Sequence, residues 1–269
     1  MKPRLKRKEF PFTALAPNRI MTLLSIVFSV ESQDVPSKIL SILQEHEATY
    51  YQGYLQPLDG SIELCIFADV TECVNFEELV RKIEELPGVI SVEHIKPRRG
   101  FVADTLHFPL TSRGGLRMIL FSAEFISMAF KKIHEVFGSG GSVILFESGY
   151  EYGRALAESF AKMLFKTGIP REKIAEAVIQ TIPEYGMSVG WYIPVVEPGD
   201  FKKPTVTFKV YETFEAEAYK GRPTSWGCDF IRGVIKGVFD TLYGKDVEVK
   251  EVKCRIKGDE YCEFHVEGK

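Results

Sequence analysis

Hydrophobic and polar positions alternate along the first third of the chain with two clear periods. Leu23 to Val30 is rich in aliphatic, β-branched and aromatic residues and predicts a strand. Val35, Ile39, Leu40 and Leu43 then recur at helical spacing through His46, with Pro36 in the first turn. Thr49 to Gln56 and Ile62 to Ala68 predict two strands about the Asp59-Gly60 turn. Phe76, Leu79, Val80 and Ile83 mark a second amphipathic helix, which Pro87-Gly88 ends, and Val89 to Ile95 closes the series as a strand. The order βαββαβ predicts a ferredoxin-like unit.

The charged stretch Lys96 to Gly100 then reads as a linker, and Phe101 to Leu110 as an opening strand or arm of the next domain. Helices are predicted over Ser122 to Phe137, Tyr150 to Leu164 and Ile174 to Tyr185, the first carrying Phe125, Met128, Ala129, Ile133 and Val136 on one side. Gly138 to Gly141 has no lysine after it and no strand immediately before it, so it reads as a helix end and turn, not as a phosphate cradle. Ser188 to Val196 and Thr205 to Tyr211 predict strands, with a turn at Pro198-Gly199-Asp200. After Cys228, a helix with the stripe Phe230, Ile231, Val234, Ile235, Val238, Phe239 and Leu242 carries Gly233 and Gly237 one turn apart. That pair admits close packing of another element. The expected architecture is α+β: a basic tail over 1–19, a ferredoxin-like domain over 20–97 and a mixed domain of helices and strands over 105–269.

Candidate chemistry concentrates near the C-terminus, where Cys228, Glu251, Cys254 and Cys262 form the pattern C-x22-E-x2-C-x7-C. Three thiolates and a carboxylate can complete a tetrahedron about zinc, and four protein ligands make a closed, structural site. Cys254 and Cys262 lie symmetrically about Gly258, so a hairpin would bring them together. Glu251 and Cys254 would face opposite sides of a regular strand, so joint coordination requires a bulge near Val252-Lys253. Buried thiols and a Cys254–Cys262 disulfide are the competing readings.

Three segments carry a resemblance to a known family: Gly227 to Gly233, Val249 to Cys254, and Gly258 to Cys262. With them go Gly114 to Phe121, Phe146 to Ala155, and Phe214 to Tyr219. Together they resemble the 4-vinyl reductase domain, which includes the effector-sensing domains of bacterial activators responding to phenols and toluenes. The resemblance implies a structural zinc held by Cys228, Glu251, Cys254 and Cys262 beside an aromatic-effector pocket. Phe214 stands where those sensors have a pocket-lining tryptophan, and Tyr185, Trp191 and Trp226 are the expected companion ligand-binding residues. The phenol sensors place a histidine near the segment matching Ile182 to Gly186, and this chain has none there. A phenol hydroxyl would then be buried without a partner at a cost of ~1–3 kcal/mol, so a small, largely apolar effector is expected. Related folds serve in vesicle-tethering complexes, which makes a scaffold one alternative reading; an enzyme accessory acting on a bulky apolar substrate is another. Asp34 to Leu40 resembles an ACT domain, with Ser37 where that family usually has glycine, and this implies a dimerisation or second-input module.

Composition adds bounds. The net charge of −3 gives no general attraction for nucleic acid or an anionic membrane. Five cysteines suit a reducing cytosol, and neither a signal peptide nor a membrane-spanning run is read, so a cytoplasmic protein is expected. Two asparagines and five glutamines beside abundant Lys and Glu point to a thermophilic source. His107, His134 and His265 of the second domain form no HExxH-type pair. His134 reads as solvated among charged neighbours, and no nucleophile elbow or Walker loop occurs. The expected protein is therefore not an enzyme. It is a homodimeric regulator that binds a small-molecule effector and acts through a partner protein.

Overall fold

A computed structural model of the chain describes residues 5–112, 115–200, 204–219 and 224–268. The first four residues of the basic start and Gly114 of the family-like segments lie outside the described residues. The chain forms two compact units, one ending at Met118 and the other running from Ile119 to Lys269.

The first unit has the order β1 (Thr13–Ser29), α1 (Val35–Glu45), β2 (Thr49–Leu58), β3 (Ser61–Asp69), α2 (Phe76–Glu84), β4 (Val89–His94) and β5 (Arg98–Ala103). Its sheet is antiparallel in the order β2-β3-β1-β4, with β5 pairing the first half of β1. The predicted βαββαβ order is present. Strand alternation gives each face its own core. Leu24, Ile26, Phe28, Leu64 and Ile66 pack under Val35, Ile39, Leu43, Leu79 and Ile83 of the two helices. Met21, Leu23, Cys65 and Phe67 point the other way and meet Val102 and Leu106.

Two boundaries differ from the sequence expectation. Residues 13–19, expected within the basic tail, are strand, and Ala14 and Ala16 are buried in the second core. Residues 98–103, expected as linker and arm, are β5 of this same sheet, so the unit closes at Met118 and includes His107. Hydrophobic period can identify a strand here but not the sheet it joins; ladder hydrogen bonds to β1 and the burial of Val102 decide that.

The second unit runs α3 (Ala123–Phe137), α4 (Ser139–Lys166), α5 (Ile174–Ser188), β6 (Ile193–Asp200), β7 (Thr205–Tyr211), α6 (Asp229–Tyr243), β8 (Val247–Lys253) and β9 (Cys262–Gly268). A 3-10 segment, Phe214–Tyr219, links β7 towards α6. The sheet is antiparallel in the order β6-β7-β9-β8. Ser139 to Gly141, expected as loop, is the first turn of α4, and Pro198 to Asp200, expected as a turn, continues β6. None of the described helices is long and apolar enough to cross a membrane.

Helices α4 and α6 meet backbone to backbone. A methyl on Gly149 would stand 2.1 Å from the Phe230 carbonyl oxygen, and one on Gly153 would stand 2.2 Å from that of Val234. Reciprocally, methyls on Gly233 and Gly237 would stand 2.1 Å from the carbonyl oxygens of Phe146 and Tyr150. No side chain fits at that separation, so the four glycines set the crossing. Gly153→Ala should cost about 3 kcal/mol in a denaturant titration, because a rigid backbone cannot yield to the added methyl. Gly140→Ala, exposed and meeting only Phe137 Cβ at 3.9 Å, should change stability by no more than about 0.5 kcal/mol.

Candidate functional site

The front of α6 gathers the site. Cys228 caps the helix, Glu251 lies near the end of β8, Cys254 follows that strand, and Cys262 opens β9. Between the two strands, a 3-10 turn over Arg255–Lys257 ends at Gly258 with φ 108°, a left-handed conformation that glycine supplies without strain. Asp259 accepts the Cys254 amide at 2.7 Å and braces the turn. The β8–β9 register shifts between Glu251 and Lys253, which is where joint coordination demanded a bulge.

All three cysteines are fully buried, and the donor atoms of the four residues lie within 4.8 Å of one another. Cys228 Sγ stands 3.4 Å from Cys262 Sγ and 3.8 Å from Cys254 Sγ. A disulfide requires ~2.0 Å, so these are free thiols. Two sulfurs at ~2.3 Å from a tetrahedral ion stand roughly 3.8 Å apart, so the spacing suits a shared metal.

The electrostatics support the same fit. Burial, with Cys254 adding to it, pushes the Glu251 carboxyl up to about 9. The neighbouring thiols donate to Cys262 and hold it down at about 5, while Cys228 is driven well above the ordinary thiol range. Around these groups stand the Cys228 amide, 3.2 Å from Glu251 Oε1, the Arg255 amide, 3.4 Å from Cys262 Sγ, and Lys257 Nζ, 3.9 Å from Glu251 Oε2. Four acidic donors in one dry pocket favour a cation that all of them can share.

A second buried network flanks the cluster, and sequence reasoning missed it. Glu215 is completely buried and accepts the Phe230 and Ile231 amides at 2.9 and 3.0 Å, so it caps α6 from the 3-10 segment. Burial raises its carboxyl well above the usual range, against the pull of those two amides. Ser127 of α3 donates to the Glu215 carbonyl and accepts the Ala218 amide, each at 2.9 Å. His134, expected to be solvated, is buried. Its Nδ1 lies 2.7 Å from Tyr219 Oη and its Nε2 lies 3.2 Å from Asp229 Oδ2. Helical period alone places His134 among charged neighbours; the docking of Tyr219 and Trp226 against α3 buries it. The motif Phe214-Glu215-Ala216-Glu217-Ala218-Tyr219 carries Glu215 and Tyr219 beside Phe214, and an acidic residue between apolar ones is the signal in the sequence for this network.

The expected pocket residues do not converge on one cavity. Phe214 packs with Phe130, Trp191 and Phe230 at ring separations of 5.9, 5.7 and 6.0 Å. Tyr185 meets Phe160 edge-on at 5.1 Å, and Trp226 stacks on His134 at 4.9 Å. An apolar crevice lies beside them, between α5, the sheet and α6, with Ile182, Tyr192, Phe208, Val234, Ile235 and Val238 among its walls. None of the four expected residues lines it, and its cavity volume is about 30 Å³. Tyr192 holds one wall in place, since a methyl on Gly186 would stand 2.5 Å from its ring.

Residues 206–268 match the V4R domain family. No curated protein matches the chain. Among solved structures, it is similar to the phenol-responsive sensory domain of the transcription activator PoxR with phenol. That match has 18% identity and a TM-score of 0.49, covering 58% of this chain and 78% of that one. A trafficking protein particle complex subunit 3 from Naegleria fowleri, covalently bound to palmitic acid, matches at 16% identity and a TM-score of 0.41, covering 55% and 95%. The ACT domain from GTP pyrophosphokinase of Chlorobium tepidum matches at 16% identity and a TM-score of 0.24, covering 29% and 100%. At these identities and scores the neighbours assign no activity to this chain.

Removing the Glu215 carboxylate should leave two buried amides without acceptors. Glu215→Ala should therefore lower unfolding free energy by about 2–6 kcal/mol, from ~1–3 kcal/mol per orphaned group. Glu215→Gln keeps one acceptor and should lose less than half as much in the same denaturant titration.

Proposed function

We propose that residues 119–269 form a zinc-stabilised sensing domain for a small, largely apolar molecule, in a regulator without catalytic activity. The observation that carries this reading is that one helix serves both ends of the device. Helix α6 begins in the Cys228–Glu251–Cys254–Cys262 cluster and supplies Ile231, Val234, Ile235, Val238 and Phe239 to the wall of the apolar crevice. A ligand that widens the crevice would bear on a helix whose front is pinned by metal, and binding would select between two positions of that helix. Tyr185, Trp191, Phe214 and Trp226 would join the ligand site only if the crevice opened as far as the aromatic contacts they now make with Phe160, with one another and with His134. The match of 206–268 to the V4R family agrees with this role.

The metal assignment rests on the donor set: three thiolates and a carboxylate suit zinc, and four protein ligands leave no position for a catalytic water. The first unit would mediate homodimerisation or receive a second input, and output would pass to a partner protein in the cytoplasm. The small volume of the crevice is the observation that favours a second reading, a packed scaffold with no ligand of its own.

Native mass spectrometry of protein purified without chelator should show a dimer that retains zinc, and Cys254→Ser should remove one equivalent per chain and lower the melting temperature. An unchanged zinc content in that variant, or a 30.5 kDa monomer at high micromolar concentration, would count against the corresponding part of the reading.

Filling the crevice separates sensor from scaffold. Toluene binding, followed by calorimetry, should be detectable in the wild type and fall at least tenfold in Ile235→Trp, with the melting temperature changed by only a few degrees. Toluene and longer alkylbenzenes that fail to bind the wild type would leave the scaffold reading in place.

A further inference from the structure

The first unit carries a second group of mixed donors, on the sheet face turned away from its helices. Glu63 and Cys65 are two residues apart on β3 and so share that face. Tyr54 of β2 and Ser25 of β1 stand directly opposite Cys65 in the ladders on either side. His107 arrives from the turn after β5. Asp104 shapes that turn by accepting the Leu106 and His107 amides at 3.1 and 3.3 Å. Glu63 Oε1, Cys65 Sγ and a ring nitrogen of His107 all lie within 4.8 Å of one another.

The geometry around His107 is that of a metal ligand held by an outer carboxylate. Nδ1 lies 2.8 Å from Asp104 Oδ1, which fixes the ring and directs Nε2 inwards. Nε2 stands 2.7 Å from Glu63 Oε1 and 3.8 Å from Cys65 Sγ. Tyr54 Oη anchors Asp104 in turn, at 3.0 Å from Oδ2, while Ser25 and Gln56 both donate to Glu63. His107 and Glu63 are therefore each positioned by other groups. Among the described residues, His107 is the cationic partner of both carboxylates, and no lysine or arginine pairs with either.

We propose that Glu63, Cys65 and His107 bind one zinc-class divalent ion, with Asp104 as the positioning residue of the histidine. Sulfur, imidazole and carboxylate together suit zinc or cobalt better than magnesium or calcium. Donors on a tetrahedral ion stand roughly 3.3–3.8 Å apart, so the sulfur–nitrogen spacing already fits, and the oxygen–nitrogen pair must open by about 0.6 Å as the ion replaces their hydrogen bond. Entry of the ion sends the Cys65 thiol proton and the Nε2 proton to solvent, while Nδ1 keeps its proton and donates it to Asp104. Three protein ligands leave a fourth position, on the side where the His107 side chain is 26% exposed, for water or an incoming ligand. This would make the first unit a metal-dependent input, independent of the Cys228 cluster.

Cobalt titration of chelator-treated full-length protein tests it. The wild type should bind two equivalents with sulfur-to-cobalt charge-transfer absorption, one lost in Cys65→Ser and the other in Cys254→Ser. Asp104→Asn, which keeps all three donors, should weaken one equivalent by roughly 10–100-fold and leave the other unchanged. A wild type that binds only the equivalent removed by Cys254→Ser would overturn the proposal. So would a Cys65→Ser protein that retains both. A wild type that binds only the equivalent removed by Cys65→Ser would uphold this site and instead refute the metal reading of the Cys228 cluster. Because the wild-type stoichiometry and the Asp104→Asn affinity are read separately, a failure of either cysteine variant to fold leaves the test decisive.

Discussion

The backbone contact between α4 and α6 is the constraint on which the second unit depends. Glycines on both helices remove the Cβ atoms at the points of closest approach, so carbonyl oxygens of each helix lie against the other's glycines. Such contact gains dispersion energy along its length, and it leaves little freedom to slide or rotate. With α6 fixed in this way, its front end and its apolar stripe are fixed too, and the thiol cluster and the crevice inherit their positions from it.

The front end of α6 is also where the unit concentrates buried acidic groups. Glu215, Asp229 and Glu251 converge there with three thiols, a set that would be costly in a dry interior without compensation. Helix geometry supplies part of it, because the first amides of α6 have no partners within the helix and point at incoming carboxylates. Glu215 takes two of those amides and Glu251 takes the amide of Cys228. Asp229 is answered by Arg232 at 2.9 Å and by His134. The thiols have no comparable cationic partner among the described residues, so their ionised forms would need a cation such as a metal ion.

The first unit makes a different use of a two-faced sheet. One face is an apolar seat for two helices. The other mixes Met21, Leu23 and Phe67 with Ser25, Glu63 and Cys65, and the segment after β5 covers it with Leu106 and His107. Polar groups persist there because each has a hydrogen-bond partner, so their burial is compensated and their geometry is specified.

The sequence by itself determined most of the elements and the cysteine cluster. Period-2 and period-3.6 patterns located the βαββαβ order and the stripe of α6, and the spacing of Cys228, Glu251, Cys254 and Cys262 required a bulge that the β8–β9 ladder contains. It could not determine which sheet residues 98–103 would join, because period records burial and not the identity of the partner strand. For the same reason Phe214 and Trp191 were legible as apolar aromatics, but whether they line a cavity or fill a core depends on what packs against them. His134, Glu215 and the Glu63–Cys65–His107 group were hidden more deeply. Each is a polar residue whose burial is tolerable only because partners far away in the sequence arrive to satisfy it, and those arrivals are a property of the tertiary structure alone.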